Sequence, residues 1–154
     1  MTSPEPPAPD NASHMEDAIG SALASFFARS GLPGVQAVYV FGSRVEGRAH
    51  RESDLDVGVL LDRAEHSTRA SRTELRIRLA ADLPGVVQLD VVDVVSLVDA
   101  PPELGRRVVL DGRLVFCRDP EAEHAFRRDV QLRAADLAPW LERMRRIKLD
   151  ALAR

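Results

Sequence analysis

The sequence predicts one mixed α/β (α+β) domain, and three observations carry that expectation. Short β-rich runs, "VQAVYVF" (35–41), "LDVGVLL" (55–61) and "VVQLDVVDVV" (86–95), read as strands. Segments with apolar residues at helical spacing lie before, between and after them. Gly- and Pro-bearing breaks separate the two kinds of segment, giving the order α-β-β-α-β-α-β-α, a mixed sheet flanked by helices.

The elements follow in chain order. Ser13 with Glu16 reads as a capping box. Met15, Ile19, Leu23, Phe26 and Phe27 then fall on one helical face, and Gly31 with Pro33 stops the helix. After the first two strands, Leu75, Leu79 and Leu83 mark a second helix over 68–83, which Pro84-Gly85 is expected to break. The run 86–95 makes the third strand. Asp99 before Pro101 and Pro102 starts a short helix that ends near Leu110. Asp111-Gly112 is a turn, and "RLVFC" is a brief strand. Asp119-Pro120 caps a final helical region reaching the C-terminus, with a bend expected at Pro139. Residues 1–12, with Pro4, Pro6, Pro7 and Pro9, bury too little to order themselves and are expected to form a flexible tail. Residues 13–154 form the single domain.

Composition narrows the class. A chain of 154 residues with 45% hydrophobic content can bury a core without disulfides. Charged residues reach 29%, but the net is only -3, so there is no general basic footprint for nucleic acid. The lone Cys117 excludes an internal disulfide and fits a reducing cytosol. No apolar run approaches the roughly 20 residues of a membrane helix, and the N-terminus lacks a basic and an apolar signal-peptide region.

The chemistry concentrates in "VYVFGSRVEGRAHRESDLDVGVLLD" (38–62). Strand alternation places Asp54 and Asp56 on one side, with Leu55 and Val57 toward a core. Two carboxylates so close repel each other unless a cation sits between them, and Mg²⁺ is the expected one. Gly42 lets backbone approach a ligand closely, the amides beyond it face an anion, and Ser43 adds a hydroxyl donor. Donors for phosphate thus stand next to ligands for metal, as a metal-bound nucleoside triphosphate requires. A third carboxylate would complete a two-metal site. Asp90 and Asp93 lie on opposite faces of an expected strand, and spacing alone does not choose between them.

Gly42-Ser43, ten intervening residues and Asp54-Leu55-Asp56 resemble the signature of the polymerase-β-like nucleotidyltransferases. "VFGSRVEG", "SDLDVGVLL", "LDVVDV" and "VVLDGRLVFCRD" are similar to the minimal nucleotidyltransferases of the MntA type, over Val35 to about Asp119. The resemblance implies that Asp54, Asp56 and Asp90 hold the metals. It also implies that Gly42 and Ser43, with Arg44 beside them, hold the triphosphate of ATP. Asp93 is then expected to be a solvent-facing or capping residue. Glu46 departs from the small or basic residue of many relatives, with Arg44 and Arg48 flanking it. The resemblance further implies an antitoxin that adenylylates a tyrosine of a partner HEPN ribonuclease toxin. Two other readings stand beside it: a module that neutralises a partner by occlusion, and a nucleotidyltransferase acting on a small hydroxylated antibiotic.

The remaining conspicuous residues have plainer readings. Tyr39 and Phe41 are expected in the core, Cys117 as a small buried residue, and His50 as polar loop surface. Leu137, Trp140, Leu141 and Met144 form an apolar stripe on the Arg-rich last helix, fitting core packing and partner docking equally well.

Overall fold

The computed structural model describes residues 11–42 and 54–153. The tail expected over 1–12 therefore lies almost wholly outside the described residues. Among the described residues four helices and four strands follow in the expected order: α1 (Asn11–Arg29), β1 (Val35–Phe41), β2 (Leu55–Leu61), α2 (Arg69–Val87), β3 (Val92–Ser96), α3 (Pro102–Asp111), β4 (Arg113–Cys117) and α4 (Pro120–Leu152). The mixed sheet has the order β3-β2-β1-β4. β1 is antiparallel to both β2 and β4, whereas β2 and β3 run parallel. Among the described residues no helix is long and apolar enough to cross a membrane.

Strand alternation divides the core. Val38 and Val40 of β1, Val57 and Val59 of β2 and Val92 and Val94 of β3 pack beneath α1 and α2. On the opposite face, Ala37, Tyr39, Phe41 and Leu60 pack with Val108 of α3. α1 buries Ile19, Leu23 and Phe27, a four-residue repeat along one face, while Met15 is exposed. Ser13 falls inside α1 rather than at its cap. The other end of α1 is tied down by Arg118, which donates to the carbonyls of Phe27 (3.2 Å) and Leu32 (2.9 Å).

α2 corrects a sequence expectation. Thr68 caps it, its Oγ1 accepting from the Ser71 amide at 3.1 Å. The helix does not break at Pro84-Gly85; it runs to Val87 and ends at Gln88, whose left-handed backbone donates back to the Pro84 carbonyl. Leu75, Leu79, Leu83 and Val87 are all buried, so the apolar stripe holds the last turn against the sheet. Proline removes one amide donor near the helix end, and tertiary packing outweighs that loss. The third strand is consequently five residues long and begins at Val92.

The β3–α3 connection is clamped by Arg72. Its guanidinium is nearly buried and makes paired 2.8 Å bonds to both Asp99 oxygens, with a third to the His66 carbonyl at 2.8 Å. Those bonds hold the Asp99 carboxyl below the usual carboxylate range. Asp99 therefore clamps the turn instead of capping α3, whose cap position is Pro101.

α4 is capped by Asp119, which accepts from the Ala122 amide at 3.0 Å, and it continues through Pro139. At 33 residues it is about 50 Å long. Its first half packs on β1 and α3 through Val130 and Ala134; from residue 135 onward every described residue is exposed. Trp140, Leu137, Leu141 and Met144 are thus outside the core.

Glu123 joins α4 to the centre of the sheet. It is 2% exposed and accepts from the Tyr39 hydroxyl and from Arg127 Nη2 (2.8 Å) and Nε (3.1 Å), with His124 Nε2 3.6 Å away. Burial pushes the Glu123 carboxyl up, but the bonds from Tyr39 and Arg127 and the Arg127 charge outweigh it, leaving the group below its ordinary value. Burial, then the bond and charge of Glu123, push the Tyr39 phenol up. Because the folded Glu123 value lies below the unfolded one, its contribution is present above about pH 4.3 and is lost as pH falls through the folded value. Urea midpoints between pH 7 and pH 3 should therefore fall less steeply for Glu123→Gln than for the wild type; parallel curves would rule this linkage out. Tyr39→Phe should cost about 1–2 kcal/mol in the same assay at pH 7.

Candidate active site

Asp54 immediately precedes β2, and Asp56 is the second residue of that strand. Asp56 pairs with Phe41, the last residue of β1, and Gly42 follows directly. Gly42 has φ +88°, a left-handed conformation that side chains disfavour. A Cβ there would run into Oδ2 of Asp56. The end of β1 and the carboxylate of β2 therefore meet with room for a hydrogen and nothing larger.

The other side of Asp56 is set by the parallel pairing. Leu55 is opposite Val92 and Asp56 is opposite Asp93. Val92 and Val94 are buried, so alternation turns Asp93 to the opposite face, away from α1 and α2, as Asp56 is turned. Burial, then the charges of Asp93 and Asp54, push the Asp56 carboxyl up, while Arg107 pulls it down. Asp54, Asp56 and Asp93 form one electrostatic cluster at the mouth of the sheet.

Asp90 is not part of that cluster. It lies in an exposed bend before β3, three residues from Asp93, roughly 10 Å along an extended chain. Asp90, expected as the third carboxylate, thus stands apart from Asp56, whereas Asp93, read as a capping or solvent-facing residue, is exposed as that reading has it and is the register partner of Asp56. The cause is the length of α2. Its extra turn consumes Val86 and Val87, and the strand starts late enough for Asp93 to stand beside Asp56. One sequence signal pointed there, because the four-residue repeat of Leu75, Leu79 and Leu83 continues to Val87. Arg107 carried no such signal; it is one of many arginines until α3 folds over the sheet. Ser43, Arg44, Glu46, Arg48 and His50 lie outside the described residues.

The cluster has the chemistry of a divalent-cation site. Repulsion among three carboxylates is relieved by a cation, and oxygen ligands suit Mg²⁺. Among the described residues no three His, Cys, Asp or Glu side chains close into a ready-made shell. Mg²⁺ is commonly held by one or two carboxylates completed by water and substrate phosphates, so the residues present fit it. A separate cavity of about 410 Å³, lined by Leu60, Leu97, Pro101, Phe126 and Val130 among others, lies toward the far end of β2 from the cluster.

Comparison with known proteins bears on this geometry. Residues 23–121 match the family model described as polymerase beta, nucleotidyltransferase. The protein adenylyltransferase MntA of Shewanella oneidensis is 36% identical over 88 residues, a match spanning 57% of this chain and 58% of that protein. Among solved structures, a toxin-antitoxin with AMP-PNP superposes with a TM-score of 0.56 at 24% identity, covering 94% of this chain and 99% of the other. A tri-AMPylated Shewanella oneidensis HEPN toxin in complex with MNT antitoxin matches with a TM-score of 0.55 at 23% identity, covering 93% and 99%. At these identities the structural likeness is one of fold.

Gly42→Ala tests how close the turn and the carboxylate are. It should destabilise the protein by about 1–3 kcal/mol in thermal or urea unfolding, through the left-handed backbone and the collision with Asp56. An unchanged midpoint would mean that the turn has other room to move.

Proposed function

This chain belongs to the polymerase beta nucleotidyltransferase family, and from that footing we propose that it is a Mg²⁺-dependent adenylyltransferase that moves AMP from ATP to a tyrosine hydroxyl of a HEPN ribonuclease toxin, acting as its antitoxin. The observation that carries the reading is the meeting of Asp54, Asp56 and Asp93 beside the Gly42 turn. The names of the related proteins support adenylyl transfer and a HEPN-type acceptor.

Asp54, Asp56 and Asp93 would hold the metal, which when bound supplies a Lewis acid for the phosphate oxygens. Asp93 takes the place that sequence resemblance gave to Asp90. Gly42, with Ser43 and Arg44, would cradle the β- and γ-phosphates, the glycine allowing backbone amides to come close. The acceptor hydroxyl oxygen bonds to the α-phosphorus, the bond from that phosphorus to the β-bridging oxygen breaks, and pyrophosphate departs. The hydroxyl proton passes to a carboxylate of the cluster, with Asp93 at its edge the assigned acceptor. Two carboxylates already crowded against a third are poised to accept positive charge, whether metal or proton.

The exposed half of α4 supports a macromolecular acceptor over an antibiotic. Trp140, Leu141, Met144 and Ile147 are exposed on a helix flanked by Arg143, Arg146 and Lys148, a surface suited to another protein. Occlusion by that surface without chemistry is the second reading, and one experiment separates the two. The chain is co-expressed with a HEPN ribonuclease toxin, and the toxin is weighed by intact-mass spectrometry. Wild-type protein should add AMP to the toxin, and Asp54→Asn with Asp56→Asn should lower transfer at least about a hundredfold. Neutralisation at equal dose by the double variant would establish occlusion and sink the catalytic reading.

A further inference from the structure

Arg107 stands at the mouth of the site through three linked placements. Val108, its neighbour, is fully buried in the cluster that contains Tyr39 and Phe41, and Phe41 pairs with Asp56. The chain then turns at Gly112, whose amide donates to the Val108 carbonyl at 2.9 Å, and enters β4 with Arg113 opposite Val40. The last turns of α3 are thereby pinned beside the end of β1, where Gly42 and the carboxylates lie. Arg106 lines the cleft between α3 and α4 with Glu103, and Arg107 follows about 100° further round the helix. From there the positive charge of Arg107 acts on Asp56, opposing the charges of Asp93 and Asp54.

We propose that Arg107 is both the resident counter-cation of the carboxylate cluster and a phosphate-binding residue, its guanidinium moving from the aspartates to the phosphates of the incoming nucleotide. The inference rests on the nucleotidyltransferase reading above. Three carboxylates at one mouth need positive charge before any metal arrives, and an exposed arginine on a rigid helix supplies it. Once a divalent ion neutralises the carboxylates, the same guanidinium is released toward a polyphosphate, whose oxygens match its paired donors. The two roles have opposite signs for two ligands: Arg107 competes with a metal alone and assists a metal-bound nucleotide.

The test is calorimetry on the full chain with two probes, Mn²⁺ alone and Mg²⁺ with AMP-PNP, for the wild type, Arg107→Ala and Arg107→Lys. Arg107→Ala should bind Mn²⁺ about fivefold more tightly, since a repelling charge is gone. It should bind Mg²⁺–AMP-PNP at least about tenfold more weakly, having lost a charged hydrogen-bonding partner. Arg107→Lys should keep wild-type Mn²⁺ affinity and lose part of the nucleotide affinity, because it keeps the charge without the fork. Unchanged nucleotide affinity in Arg107→Ala overturns the inference alone. Weakening toward both probes also overturns it, because Arg107 would then be holding the shape of the site. Wild-type protein that binds no nucleotide overturns the proposed reaction, and this inference with it.

Discussion

Two carboxylates placed side by side at the end of a parallel strand pair are the constraint around which this molecule is arranged. Asp56 and Asp93 are register partners on adjacent strands, and Asp54 adds a third charge at the edge. Strands lie about 4.8 Å apart, so the two charges cannot avoid each other. Such a cluster opposes folding until a cation joins it. The cost is borne by the core beneath, where Leu55 and Val57 of β2 and Val92 and Val94 of β3 are buried against α1 and α2. The same alternation that buries these residues turns the acids to the other face.

The rest of the scaffold keeps that mouth in place. The Arg72–Asp99 pair fixes where the chain leaves β3, and hence where α3 begins. Val108 then seats α3 on β1 and brings Arg107 to the cluster. The Tyr39–Glu123–Arg127 network does the corresponding work for α4, linking the middle of the sheet to the helix through a buried carboxylate whose bonds offset its desolvation. Beyond Ala134 none of the described residues covers α4, and its apolar residues face outward. One half of the helix belongs to the domain; the other extends the surface the protein offers to others.

Most of the fold was legible in the residues. β1 and β2 have the bounds that their β-branched runs announce, and the caps at Thr68 and Asp119 work as their side chains suggest. The Gly42 turn and the Asp54/Asp56 pair were legible because the chemistry is local: a positive φ needs glycine, and two acids with one residue between them share a strand face. Asp99, Pro84 and Ser13 misled, since each is a strong local signal that a tertiary contact or a longer helix overrode. A proline and a glycine together should end a helix in isolation; here Leu83 and Val87 keep the turn pressed to the sheet.

By itself, then, the chain's order of residues determined the alternation of elements, the tight turn after β1 and the first two acids of the candidate site, all of which depend on neighbours a few positions away. Which third acid joins them was decided only in three dimensions, because the pairing of β3 with β2 depends on where α2 stops, and that depends on the packing of Val87. Arg107 is the same kind of case. Its place beside the acids follows from α3 lying across β1, and a separation of some fifty residues leaves no periodic trace in the sequence.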